Sequence, residues 1–272
     1  SFNDEYHWKE MINLSIILPT LNEKDNLEIL IPDLIANLSD INNLEFEIII
    51  SDDQSTDGTK ELVEFINLKN NNVVYYKRKS TPSLPMSIWD GIEKSKYDYV
   101  LWMDADGSMP AKSVKDMVKI LIENQDCVII GSRFVDGGAY KGILELEEKS
   151  IIKAVLNVYK SNDTVLGMIF SNLFNKLLRF IFKSKVFDIT SGFIVGNKSN
   201  FSINSFKRHS YGEYFIDVVA SLLNSNINII EHGYVCETRK YGKSKTANSF
   251  LQLLKRGYPY IVTAIKVRKN GN

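Results

Sequence analysis

An α/β fold, with a mainly parallel central sheet and flanking helices, is what this sequence predicts. Three observations carry that expectation. Short apolar, β-branched runs alternate with amphipathic helical stretches over residues 10–135. The spacing suits right-handed βαβ crossovers. Three strand ends run into polar clusters, Asn22/Glu23, Asp52/Asp53/Asp57 and Asp104/Asp106, which would gather where an open parallel sheet forms its crevice.

In chain order, Leu14-Ser15-Ile16-Ile17-Leu18-Pro19 reads as the first buried strand. Thr20 to Glu23 is its exit loop, and a helix from about Asn26 to Asn37 has Pro32 near its start or kinking it. Phe46 to Ser51 is the second strand and runs into the acidic turn Asp52 to Gly58. A helix from Thr59 to Leu68 follows, with Leu62, Val63, Phe65 and Ile66 on an apolar face. Val73 to Tyr76 is a strand, Pro85 to Lys94 a helix, Tyr99 to Met103 a strand, Pro110 to Glu123 a helix, and Cys127 to Ile130 a fifth strand. Beyond this the pattern changes. Gly131 to Gly142 is glycine-rich and reads as a mobile loop, and Ile143 to Lys160 and Thr164 to Phe182 read as apolar helices. A helix from Gly212 to Leu223, a strand from Ile227 to Val235, the basic loop Arg239 to Lys245 and a helix from Phe250 to Arg268 close the chain. No internal repeat or linker divides it, so a single domain over residues 1–272 is expected.

The stretch Tyr99 to Pro110 organises the rest. Its apolar strand stops at Asp104 and Asp106, and Gly107 and Pro110 turn the chain. Two carboxylates at that edge suit a hard divalent cation, Mg²⁺ or Mn²⁺, which takes oxygen ligands and completes its shell with water and phosphate. The competing reading is that they cap the following helix.

Composition narrows the function classes. The chain has 33 basic and 33 acidic residues and 44% hydrophobic content, so no basic footprint for nucleic acid covers its surface. Only Cys127 and Cys236 occur, too few for a disulfide framework, so a reducing compartment is expected. Ser1 to Glu5 lacks the character of a signal peptide, and no apolar run of about 18 residues appears, so the expected location is the cytoplasm.

Taken together, Leu18-Pro19-Thr20-Leu21-Asn22-Glu23, Ser51 to Thr59 and Asp104-Ala105-Asp106 resemble family 2 glycosyltransferases of the A-type fold. Gly131-Ser132-Arg133-Phe134 with Gly137-Gly138, Asp188 to Phe193 and Arg239 to Lys245 are similar within that family to dolichyl- or polyprenyl-phosphate mannose synthases. The resemblance implies a nucleotide-sugar-binding half over 10–135, an acceptor half over 136–248 and a C-terminal amphipathic helix over 249–272. It implies that Pro19, Leu21 and Glu23 line the nucleotide pocket, that Ser51 and Asp53 meet base and ribose, and that Asp104, Ala105 and Asp106 hold sugar and diphosphate through the metal. Arg133, Arg239 and Lys245 would face the phosphates, with Arg133 and Ser171 at the acceptor. Two departures stand out: roughly twenty residues, about 143–165, are inserted after the glycine loop, and Gly167 replaces an arginine that helps bind the lipid phosphate.

The implied reaction is inverting transfer of a sugar from GDP-mannose or a UDP-hexose to a polyprenyl phosphate. A lipid phosphate is already an anion, whereas a saccharide hydroxyl would need a general base, for which Asp217 and Glu213 are the candidates. Transfer to a saccharide in surface-glycan assembly, or a non-catalytic nucleotide-sugar binder, are the alternatives. The apolar helix Thr164 to Phe182, with the closing helix that mixes Tyr258, Tyr260, Ile261 and Ile265 with Lys255, Arg256, Lys266 and Arg268, reads as a peripheral membrane contact, against core packing or a homodimer interface.

Overall fold

The computed structural model describes residues 11–141, 164–237 and 250–270. A seven-stranded sheet forms the middle layer. Its strands are β1 (Ile12–Thr20), β2 (Leu44–Asp52), β3 (Val73–Lys77), β4 (Tyr99–Trp102), β5 (Cys127–Ser132), β7 (Ile194–Asn197) and β8 (Asn228–Gly233), in the spatial order β3-β2-β1-β4-β7-β5-β8. All but β7 share one direction; β7 lies antiparallel to both β4 and β5. The parallel series expected from β4 to β5 is therefore interrupted. This four-residue strand from late in the chain gains its place by pairing with β4 and β5, and it joins the second half to the same sheet.

The helices are α1 (Lys24–Ser39), α2 (Thr59–Asn67), α3 (Leu84–Lys94), α4 (Ala111–Glu123), α5 (Thr164–Phe182), α6 (Tyr214–Asn224) and α7 (Phe250–Asn270). Alternation along β1 builds two cores. Leu14, Ile16 and Leu18 pack with α1, α2 and α4, while Ile17 packs with α3, α5, α6 and α7. Pro32 lies inside α1 without ending it. An interior proline costs about 3 kcal/mol, yet α1 buries Leu27, Leu30, Ile31, Leu34 and Leu38, each worth about 1.5–3 kcal/mol, so packing prevails. On the other face Trp102 is wholly buried among Phe201 and Phe206, and its Nε1 donates to Tyr214 Oη at 2.9 Å.

The glycine-rich segment after β5 is ordered through Lys141. Its residues β6 (Ala139–Tyr140) pair in parallel with β9 (Val235–Cys236), and the strand expected over Ile227 to Val235 is split into β8 and β9. Pairing explains the difference, since Gly138 N donates to Val135 O at 2.8 Å and Tyr234 N to Ser132 O at 3.0 Å. The helix expected over Ile143 to Lys160, and the basic loop with Arg239 and Lys245, lie outside the described residues.

Candidate active site

Parallel register brings the C-terminal ends of β1 and β2 level, Thr20 opposite Asp52, and Asp53 N donates to Thr20 O at 2.8 Å. The exit loops are then locked to one another. Asn22, left-handed at φ 57°, donates its N–H to Ser55 Oγ and accepts from Thr56 N, each at 2.8 Å. Asp57 accepts from Lys24 N at 2.9 Å and from Thr59 Oγ1 at 2.6 Å, tying the starts of α1 and α2 together. Burial opposes the charge on Asp57, but hydrogen bonds from Thr59 and Lys24 outweigh it and hold its pKa below the ordinary aspartate value. Asp52 accepts from Tyr75 Oη at 2.7 Å and from the Ser55 hydroxyl. Asn22, Asp52 and Asp57 thus build the edge.

The remaining acids face a cleft of about 350 Å³. Pro19, Thr20, Leu21 and Glu23 line it from the β1 exit, with Asp53, Pro82 to Leu84 and Ser87 beside them and Asp104, Ala105 and Asp106 at the β4 exit. Asp106 is 4% exposed and its Oδ1 accepts from Ser108 N at 2.9 Å. Gly107 makes that turn at φ 75°, a conformation that favours glycine. Asp53 accepts from Ser83 N at 2.9 Å and from Arg78, whose Nε donates to Asp90 at 2.7 Å. Burial raises the Asp53 carboxyl above its ordinary pKa despite those donors. Ser51 is wholly buried and does not line the cleft; its hydroxyl and that of Ser87 donate to each other's carbonyls at 2.7 and 2.8 Å, so Ser87 is presented in its place.

The second half supplies Thr190 to Gly192, Ser210 to Gly212, Tyr214 and Tyr260. Arg133, expected at the phosphates and the acceptor, is instead paired with Asp188. Nε and Nη2 donate to the two carboxylate oxygens at 2.8 Å each, and the guanidinium lies over Phe134 and Tyr140 at 5.3 and 5.4 Å. Burial opposes that cation, and the Asp188 charge outweighs it, leaving the pKa well above the ordinary arginine value. Asp217 pairs with His209 at 2.9 Å and does not line the cleft. Glu213 is buried and accepts from Ser210 N at 2.8 Å and Tyr211 N at 3.3 Å, so it shapes the loop. Ser171 lies on α5. Sequence reasoning missed Arg78, Ser87, Tyr211 and Tyr214, and it read Tyr260 as part of a membrane contact, whereas that residue lines the cleft. Only Arg78 had a signal, as a cation just after a strand that adjoins two acidic turns.

Asp104 and Asp106 are a donor set that fits Mg²⁺ or Mn²⁺. Among the described residues no group of three or more His, Cys, Asp or Glu could enclose a metal by itself. An ion that shares one or two carboxylates with substrate phosphates needs no such cage.

A mainly parallel sheet with flanking helices, whose loop edge presents an Asp-x-Asp pair to a cleft, is the A-type glycosyltransferase fold. The chain belongs to glycosyl transferase family 2, whose model matches residues 15–202. The dolichol-phosphate mannosyltransferase of Pyrococcus furiosus is 32% identical over 128 residues, 47% of this chain and 35% of that protein. Its Saccharomyces cerevisiae counterpart by name is 29% identical over 126 residues, 46% of each chain. The poly(ribitol-phosphate) β-N-acetylglucosaminyltransferase of Staphylococcus aureus is 26% identical over 234 residues, 82% of this chain and 62% of that one. This chain thus spans less than two thirds of each of these relatives. Among solved structures, glucosyl-3-phosphoglycerate synthase of Mycobacterium tuberculosis, in complex with Mn²⁺, UDP and its product, superposes with a TM-score of 0.60 at 14% identity, covering 95% of this chain and 80% of that one. Another structure of that synthase holds Mg²⁺ and UDP. These likenesses show the fold.

Proposed function

We propose that this chain is an inverting glycosyltransferase that moves a sugar from a nucleoside-diphosphate sugar, of the GDP-mannose or UDP-hexose type, to a polyprenyl phosphate at a membrane surface. The observation that carries the donor side is the convergence of Glu23, Asp53, Asp104 and Asp106 on one cleft at the sheet's loop edge. Asp104 and Asp106 would hold the Mg²⁺ or Mn²⁺, which would neutralise charge developing on the departing diphosphate. Asp53, fixed by Arg78 and Ser83, would meet the base and ribose, and Pro19 and Leu21 would wall the nucleotide pocket. Arg239 and Lys245 remain the proposed phosphate cations.

Two features support a phosphate acceptor. The base candidates are already committed, Glu213 to loop N–H groups and Asp217 to His209, which suits a nucleophile that needs no deprotonation. Exposed apolar side chains also line α5 at Leu173, Leu177 and Phe180, and α7, which packs on α5, exposes Tyr258 and Ile265. Lys176, Lys183, Lys266 and Arg268, on or next to the same two helices, are exposed too, a composition that fits anionic headgroups. Among the described residues no helix is long and apolar enough to cross a membrane, so the contact proposed is peripheral. The wide match to the Staphylococcus aureus enzyme favours a second reading, transfer to a hydroxyl of a surface polymer; the exposed apolar side chains would then serve a homodimer.

Incubating the chain with GDP-mannose or UDP-glucose and Mg²⁺ or Mn²⁺, with and without a polyprenyl phosphate, tests the proposal. Release of nucleoside diphosphate that depends on the lipid phosphate is the expected result. Release driven only by a saccharide moves the assignment to the second reading, and none with any acceptor refutes both.

A further inference from the structure

The nucleotide side of the cleft is built by strand-exit loops, but one lining residue comes from the C-terminal helix. Tyr260 of α7 reaches the cleft over Gly212, in a packing that leaves little freedom. A Cβ on Gly212 would stand 2.2 Å from Tyr260 Oη and 3.3 Å from Cζ, so the hydroxyl occupies space that only glycine leaves open. The ring meets Phe174 of α5 edge-on, with centroids 5.9 Å apart. Burial, with the electrostatic influence of Tyr211, Glu213 and Asp104, holds the phenol pKa above its ordinary value, and a phenol is a donor at neutral pH.

We propose that Tyr260 is a specificity-determining residue for the acceptor, its hydroxyl donating a hydrogen bond to an acceptor phosphate oxygen. The inference rests on the glycosyltransferase reading above. Glu23, Asp53, Asp104 and Asp106 line the same cleft, and ionised carboxylates only accept hydrogen bonds. An anionic acceptor entering there therefore needs donors that these carboxylates cannot supply, and Tyr260 is one fixed in place by packing. Its helix also carries the exposed Tyr258 and Ile265, so one element presents an outer apolar surface and a cleft-facing hydroxyl. A lipid-linked phosphate would meet both.

Tyr260→Phe keeps the ring against Phe174 and removes only the hydroxyl. In transfer assays with GDP-mannose or UDP-glucose and a polyprenyl phosphate, the acceptor KM should rise about 10- to 100-fold, the scale of a lost hydrogen bond to a charged group. Donor KM and the thermal midpoint should stay at their wild-type values. Gly212→Ala should reproduce the effect by displacing the hydroxyl, and adding Tyr260→Phe to it should change little further. An unchanged acceptor KM in Tyr260→Phe, or an equal rise in donor KM, overturns the inference while wild-type transfer preserves the glycosyltransferase reading. Wild-type transfer only to a saccharide hydroxyl overturns the phosphate-donor role. A wild-type chain that transfers nothing to either acceptor overturns both.

Discussion

Replacing Asp188 with asparagine separates two roles for Arg133, a phosphate ligand or a cation that holds the fold. Asp188 is wholly buried and accepts from Arg133 N at 3.0 Å, Nε at 2.8 Å and Nη2 at 2.8 Å, while the Arg133 side chain is 12% exposed. Asparagine keeps the shape but turns an NH₂ group toward guanidinium N–H groups and leaves the cation uncompensated. Breaking one partner of a buried pair costs about 3–5 kcal/mol, and the small residual exposure favours the lower end, about 3 kcal/mol. For a domain of this size that corresponds to a fall of about 6–12 °C in thermal midpoint. Urea unfolding of wild type, Asp188→Asn, Arg133→Met and the double variant measures it. The double variant should lose less than the two single losses combined, because no unpaired charge remains. The reasoning is refuted if Asp188→Asn unfolds within about 1 kcal/mol of wild type while Arg133→Lys, which keeps the charge but not the fork, raises donor KM with stability intact.

Three further outcomes are expected. Asp106→Asn should lose metal-dependent binding of GDP and UDP in calorimetry by tenfold or more, and undiminished binding would remove Asp106 from the metal site. Asp57 has a depressed folded pKa, so its contribution is full above the unfolded value of about 3.9 and is lost as pH falls through the folded value. The stability gap between wild type and Asp57→Asn should therefore narrow on acidification, and a constant gap contradicts the linkage. The chain should co-sediment with anionic vesicles less well at 1 M salt, where the Debye length is about 3 Å, and Phe180→Glu should weaken binding further; supernatant under every condition makes the exposed apolar side chains a protein interface.

The parallel half of the fold was legible because its buried strands are short apolar, β-branched runs set between amphipathic helices. Leu14 to Leu18 alternate between two cores, and the crossover helices show one apolar face each. The antiparallel β7 was not legible, since Ile194 to Asn197 gain their identity from lying between β4 and β5. Ordering of the glycine loop was hidden for the same reason: β6 exists through its pairing with β9, nearly a hundred positions away, and only tertiary contact reveals it.

The site divides along the same line. Sequence places acids at strand ends, but which of them face the cleft depends on tertiary packing. Asp57 and Asp52 are turned into the loops by N–H and hydroxyl groups and Asp188 toward Arg133, whereas Asp104 and Asp106 line the cleft, Asp106 while also accepting from Ser108 N. Asp53 lies between these cases, because Arg78 and Ser83 hold it while it still faces the opening. The same reasoning reassigns cations. Arg133 and Arg78 look like phosphate ligands by type, yet each is matched to a buried carboxylate, so neither is a cation left over for a ligand. Tyr260 shows the opposite failure. No motif surrounds it, and its place at the cleft follows from α7 packing on α5 and α6 and from the missing side chain of Gly212, two facts that no local pattern contains.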